Sequence, residues 1–262
     1  MTERIRSSAV AGAFYPADPD ELAALVDRLL GEVRPSEREH RPGALIVPHA
    51  GYVYSGPVAA SAYALLRGAT VARVVVLGPS HLVPLHGAAV SGMEAWATPL
   101  GQVPVDDELR ARAVGVGARR NDRAHQPEHS VEVQLPFLQR VLADPFSVLP
   151  IVVGVTEPEP IADLMDALHG PDTLIVISTD LSHYHDAASA RRLDRRTADA
   201  ILARDPSMIG PEDACGVFAL RGVVELARRR GARIRLLDLR NSADTAGDPS
   251  SVVGYGAFTL DL

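Results

Sequence analysis

The sequence predicts an α/β fold: one domain over residues 1–262, built on a central, largely parallel or mixed sheet flanked by helices. Two observations predict the class. Short apolar runs alternate along the chain with segments of helical periodicity, the order that builds βαβ units. Three histidines also stand directly after such runs: His49 after residues 44–48, His81 after 74–80 and His183 after 174–182. If the runs are buried parallel strands, these far-separated residues meet at one edge of one sheet, where open α/β folds place their sites.

Residues 18–33 predict the first helix: Asp18 caps it, Pro19 takes its first position, Glu21 its third, and Leu22, Leu25, Val26 and Leu29 recur at helical spacing. A strand follows at 44–48. The glycine- and tyrosine-bearing stretch His49-Ala50-Gly51-Tyr52-Val53-Tyr54-Ser55-Gly56 reads as a turn feeding a helix at 57–66. Residues 71–77 give a second buried strand, and 81–101 a loop with short strands around 88–90. The spacing then predicts a short helix at 106–114, a charged loop at 117–126 and a helix at 129–143 kinked at Pro136. Strands at 146–153 and 173–179 bracket an amphipathic helix at 158–169, and a long helix at 187–204 carries its basic residues on exposed positions. The last helix, 215–230, is closed by Gly231 and followed by strands at 233–239 and 252–260. No repeat or low-complexity linker interrupts this order, so no domain boundary is expected.

Composition narrows the function classes. A chain that is 47% hydrophobic and 23% charged can bury a sizeable core, and its net charge of −7 argues against general affinity for nucleic acid or an anionic membrane. Met1-Thr2-Glu3-Arg4-Ile5-Arg6 lacks the apolar core of a signal peptide, and no run approaches the roughly 20 apolar residues that span a bilayer, so a cytoplasmic location is expected. The single cysteine, Cys215, leaves no internal disulfide. No P-loop, dinucleotide fingerprint or Gly-x-Ser-x-Gly elbow is present. Ser80 and His81, as neighbours, point to opposite sides of an extended chain, which disfavours a hydrolase triad there.

His49 in Pro-His-Ala-Gly-Tyr, His81 in Gly-Pro-Ser-His and His183 in Ser-Thr-Asp-Leu-Ser-His each sit in small-residue turns that allow close backbone approach. Any one of them alone reads as a loop or cap residue; together they read as a site. Neutral imidazoles paired with a thiolate or carboxylate suit Fe(II), Cu or Zn better than Mg or Ca. Asp180, three residues before His183, either orients an imidazole, acts as a base, or simply caps a helix. His129 and Glu132 share a face at i and i+3, with Glu132 read as a surface salt bridge or cap. Cys215, read at a helix N-terminus, is either a thiolate favoured by the dipole or a packing residue.

Taken jointly, Ala-Gly-Ala-Phe-Tyr-Pro at 11–16, Pro-His-Ala-Gly-Tyr at 48–52, Leu-Gly-Pro-Ser-His at 77–81, Thr-Pro-Leu-Gly at 98–101, Glu-His-Ser-Val-Glu-Val-Gln-Leu-Pro-Phe at 128–137, Ser-Thr-Asp-Leu-Ser-His-Tyr at 178–184 and Ala-Cys-Gly at 214–216 resemble the Memo family. The resemblance spans nearly the whole chain in the same order. It implies a fold similar to class III extradiol dioxygenases, and bacterial and archaeal members are named component B of the AmmeMemoRadiSam system. It further implies a metal held by His49, His81 and Cys215, an acid/base role for His183, and a pocket also lined by Asp180 and His129. Thr179 replaces the more usual Ser, and Val217-Phe218 follows the cysteine segment where many members are more polar or Gly-rich. The expected cofactor is a transition metal, Fe(II) or Cu first and Zn next; the implied partners are a small molecule or peptide and the AMMECR1-like and radical SAM proteins. The leading expectation is a metal-binding redox protein or oxidoreductase of unknown substrate. Its alternatives are an iron-dependent ring-cleaving dioxygenase, and a non-enzymatic cleft that binds a peptide or partner through Tyr52, Tyr54 and Tyr184.

Overall fold

Asp18 begins the first helix as its sequence requires. In the computed structural model, which describes residues 4–34 and 41–262, its carboxylate accepts from the backbone N–H groups of Asp20 and Glu21, and Pro19 takes the position where no N–H is needed. Residues 1–3 of the N-terminal stretch lie outside the described residues. In chain order the elements are β1 (Ile5–Arg6), α1 (Pro19–Glu32), β2 (Ala44–Val47), α2 (Tyr52–Tyr63), β3 (Arg73–Pro79), β4 (Ala88–Val90), β5 (Ala95–Thr98) and β6 (Gly101–Pro104). The chain continues through α3 (Asp107–Gly115), β7 (Arg119–Arg120), α4 (Asp122–His125), α5 (Leu135–Val141), β8 (Ser147–Val153), α6 (Pro158–Leu168), β9 (Thr173–Ser178) and β10 (His183–His185). It closes with α7 (Ala187–Ala203), α8 (Val217–Arg230), β11 (Arg233–Asn241) and β12 (Val252–Asp261).

The main sheet is mixed, in the order β10-β12-β2-β9-β3-β8-β4-β7, with β11 on the outer side of β12. Its centre, β2-β9-β3-β8, is parallel; β12 joins β2 and β4 joins β8 antiparallel. Alternate residues of each central strand enter opposite cores. Leu45, Val47, Val74 and Val76 pack with α1, α2 and α5, while Ala44, Ile46, Val75 and Leu77 pack with α6 and α8. Strands apolar on both faces are what a sheet covered by helices on both sides demands. A separate three-stranded sheet, β1-β5-β6, lies beside it.

Register positions the site. Val47 of β2 lies opposite Ser178 of β9, and Leu77 of β3 opposite Ile177, so the three strands end level and their following turns adjoin. Among the described residues, no helix is long and apolar enough to cross a membrane.

The structure corrects three boundaries. The helix predicted at 57–66 begins at Tyr52, with Gly51 as its cap and Pro57 inside it. Gly56, which read as a turn residue, serves instead to let α1 approach: a Cβ there would lie 2.8 Å from Leu29 Cδ1. The single helix predicted at 129–143 is a 3-10 turn at Glu132–Gln134 followed by α5, where Pro136 starts the helix rather than kinking it. The charged loop at 117–126 contains β7 and α4, capped by the Asn121 side chain.

Candidate metal centre

His49 is the first residue of the turn after Pro48, and the fold grips it from both ends. Its backbone N–H donates to Asp180 Oδ1 at 2.8 Å, and the carbonyl of Pro48 accepts from the Gln134 amide at 3.0 Å. Its ring Nδ1 lies 2.9 Å from Ser178 Oγ. That hydroxyl donates its one proton to Ser130 O at 2.6 Å and accepts from Gln134 Nε2 at 2.8 Å. Ser178 Oγ therefore has nothing to give His49, whose Nδ1 must be the donor and whose Nε2 is bare. Burial first, then the neighbouring His81 and His129, push the His49 pKa well below the ordinary imidazole value. The bare Nε2 lies 3.2 Å from Cys215 Sγ.

His81 stands after β3. Its backbone N–H and ring Nδ1 lie 2.7 and 2.9 Å from the two oxygens of Glu128, which also accepts from the backbone N–H groups of His129 and Ser130, each at 2.9 Å. Glu128 is wholly buried. Burial opposes its ionisation, but His81 and the backbone donors outweigh burial and hold the carboxyl below the usual carboxylate range. The His129 ring stacks on His81 with centroids 4.7 Å apart and stands edge-on to His49 at 5.4 Å.

Cys215 comes from the loop before α8, whose cap is Gly216 and whose first residue is Val217. The cysteine therefore precedes the helix it was read to begin. Its Sγ accepts from the Asp180 backbone N–H at 3.3 Å and lies 3.7 Å from Thr179 Oγ1. The helix dipole does not dominate here: burial, then the Asp180 carboxylate, raises the thiol pKa above its ordinary value. A thiol so placed becomes a thiolate when a cation coordinates it.

The ligand atoms of His49, His81 and Cys215 all lie within 4.8 Å of one another. Tetrahedral Zn–S and Zn–N bonds of about 2.3 and 2.0 Å place nitrogen and sulfur about 3.5 Å apart, close to the His49–Cys215 separation. Two neutral imidazoles and one cysteine suit a borderline or soft transition ion, so the residues present fit such a metal. Among the described residues a second group, His81, Glu128 and His129, is similarly close.

The centre lies in a cleft of about 860 Å³, also lined by His129, Asp180, His183, Tyr54 and Tyr184. His183 donates from Nδ1 to Leu181 O at 2.8 Å, leaving Nε2 without a partner among the described residues, and burial lowers its pKa. Asp180 binds no imidazole ring: its carboxylate meets the backbone of the 49–50 turn, and burial raises its pKa to about 7. Two sequence readings are overturned. Glu132 is no surface residue but is wholly buried, paired to Arg6 at 2.6 Å and accepting from Tyr15 Oη at 2.5 Å. Tyr52 is buried with its hydroxyl on Val133 O at 2.5 Å, so it cannot anchor a partner, whereas Tyr54 and Tyr184 are exposed.

A family model for Memo-like proteins matches residues 6–259. The chain belongs to the Memo family. Among its relatives, a MEMO1 family protein of Aquifex aeolicus is 40% identical over 96% of this chain and 97% of its own length. Another, from Methanosarcina acetivorans, is 37% identical over 98% of this chain and 99% of its own. A crystal structure of an uncharacterized protein from Escherichia coli K12 superposes with a TM-score of 0.50, covering 84% of this chain and 100% of that one at 11% identity. That similarity is one of fold.

Sequence reasoning missed Glu128, Ser178 and Gln134, which fix the imidazoles without joining them. Their signal was present, since all three lie within the segments that carry the family resemblance. Polar residues wholly buried beside His49 and His81 were legible only once the strands were placed.

Proposed function

We propose that this Memo-family protein binds one transition metal through His49 Nε2, His81 and Cys215 Sγ and acts as a redox protein or oxidoreductase on a small molecule entering the cleft. The observation that carries the reading is the convergence of two imidazoles and the only cysteine within 4.8 Å. Iron or copper bound there supplies one-electron chemistry, with zinc as the non-redox option. The chain's own residues do the rest. Asp180 holds the His49 turn through its backbone, a positioning role. His183, neutral and with a free Nε2 on the cleft, exchanges a proton with the bound molecule. His129 forms the wall behind His81.

An iron-dependent ring-cleaving dioxygenase relies on a hard carboxylate beside two histidines; by the resemblance Cys215 takes that place here, and a soft, oxidisable sulfur disfavours that reaction. Little opening of catechols is expected. The test of the proton role is His183→Gln: metal affinity should stay within about tenfold while oxygen-consuming turnover slows on the order of a hundredfold. Loss of metal together with turnover would make His183 a ligand instead.

A further inference from the structure

We propose that Glu128 is the positioning residue of this centre, holding the His81 ring with its proton on Nδ1 so that Nε2 faces His49 and Cys215. The inference rests on the reading of His49, His81 and Cys215 as ligands. Glu128 lies 47 residues from His81 in sequence, yet two oxygens of one buried carboxylate take both the backbone N–H and the ring of that histidine. Two further backbone N–H groups, from His129 and Ser130, close on the same side chain. Backbone N–H groups can only donate. A group that receives three of them is a pure acceptor, so the ring atom 2.9 Å away must be an N–H. With Nδ1 protonated, the only lone pair left on the His81 ring is at Nε2.

The same count separates the two possible metal groups. A metal held by His81, Glu128 and His129 would need oxygen lone pairs that already face four N–H donors, and would require His81 to give up its bond to Glu128. Three of those donors crowd Oε1 and one takes Oε2, so a carboxylate with about four lone-pair sites has none to spare on Oε1 and one on Oε2. The carboxylate is thereby spent mainly on backbone and His81 N–H groups, which makes Glu128 a support of the His49–His81–Cys215 centre. The two rings are backed differently: His49 leans on the Ser178 hydroxyl, His81 on an anion. An anionic acceptor behind an imidazole fixes the ring orientation and polarises it toward a metal, so His81 is the more firmly held ligand of the pair.

The tautomer is measurable without any metal. In metal-free protein at about pH 8, above the ordinary imidazole pKa, ¹⁵N spectra of labelled histidine should show His81 protonated at Nδ1. Glu128→Gln keeps the volume and removes the charge; it should move the His81 proton toward Nε2 and weaken binding of added Zn(II) about 10–100-fold. Glu128→Asp, which keeps the charge, should recover part of both. A wild-type His81 protonated at Nε2 overturns the proposal, and so does a folded Glu128→Gln with unchanged tautomer and affinity. Should Glu128→Gln fail to fold, the wild-type tautomer decides alone. Wild-type protein that takes up no metal overturns the ligand reading, while the tautomer still decides the role of Glu128.

Discussion

At the scale of single residues, the centre depends on positions where a side chain has no room to differ. Gly216 is one: an added Cβ would lie 2.7 Å from Thr179 Cβ and 3.0 Å from the Ser178 carbonyl, and its own N–H donates to Thr179 Oγ1 at 2.9 Å. Gly216→Ala should therefore cost about 1–3 kcal/mol, the usual penalty of overpacking, and draw Cys215 away from His49. Denaturant unfolding checks the first effect and metal titration the second; wild-type values in both would show that the loop yields. The buried pair behind the site sets a larger effect. Arg6 sits over the Trp96 ring at 4.0 Å, and its guanidinium donates to Glu132, His125 O and Glu128 O. Arg6→Ala leaves Glu132 as a lone buried charge, so stability should fall by about 3–5 kcal/mol, and a loss under about 1 kcal/mol would contradict the account.

At the scale of elements, the well-read helices were those that announced their ends. Asp18-Pro19 started α1 and Gly231 closed α8 in the left-handed conformation, as both sequences imply. Elements that failed carried misleading punctuation: the Gly-Pro pair at 56–57 lies inside α2, where packing against α1 outweighs local preference. Charge then fastens helix to helix. In α8, Glu225 is buried and accepts from Arg228 and Arg229, while Arg229 and Arg230 reach Asp163 and Asp166 on α6. The Arg228 hydrogen bond foremost, working against burial and aided by Arg229, lowers the Glu225 pKa from 4.5 to about 2. A folded-state pKa below the unfolded one adds stability above about pH 4.5, which is lost as pH falls toward about 2. Because the arginines are partly exposed, the contribution is discounted to about 1 kcal/mol. Glu225→Gln should lower stability by that amount at pH 7, and the gap to wild type should close between pH 4.5 and 2. A pH-independent gap in denaturant unfolding would assign the loss to packing instead.

At the scale of the whole molecule, the sheet explains why the site was partly legible in sequence. Apolar strands ending in histidines mark where parallel strands deliver side chains, and the level ends of β2, β3 and β9 bear this out for His49 and His81. Cys215 arrives from outside the sheet, on the loop into α8, so only the family resemblance linked it to the histidines. Glu132 and Tyr52 were misread because burial at the 125–137 segment comes from β1 and α2, more than a hundred and some eighty residues away respectively. Short polar motifs do not encode such distant cover. In the function proposed above, strand ends 32 residues apart and a loop 134 residues further on meet as one metal centre. Its most direct test is elemental analysis of anaerobically purified wild type beside His49→Ala, His81→Ala and Cys215→Ser. One metal per chain in the wild type, lost or sharply reduced in each variant, is the predicted result; undiminished metal in all three variants would contradict it.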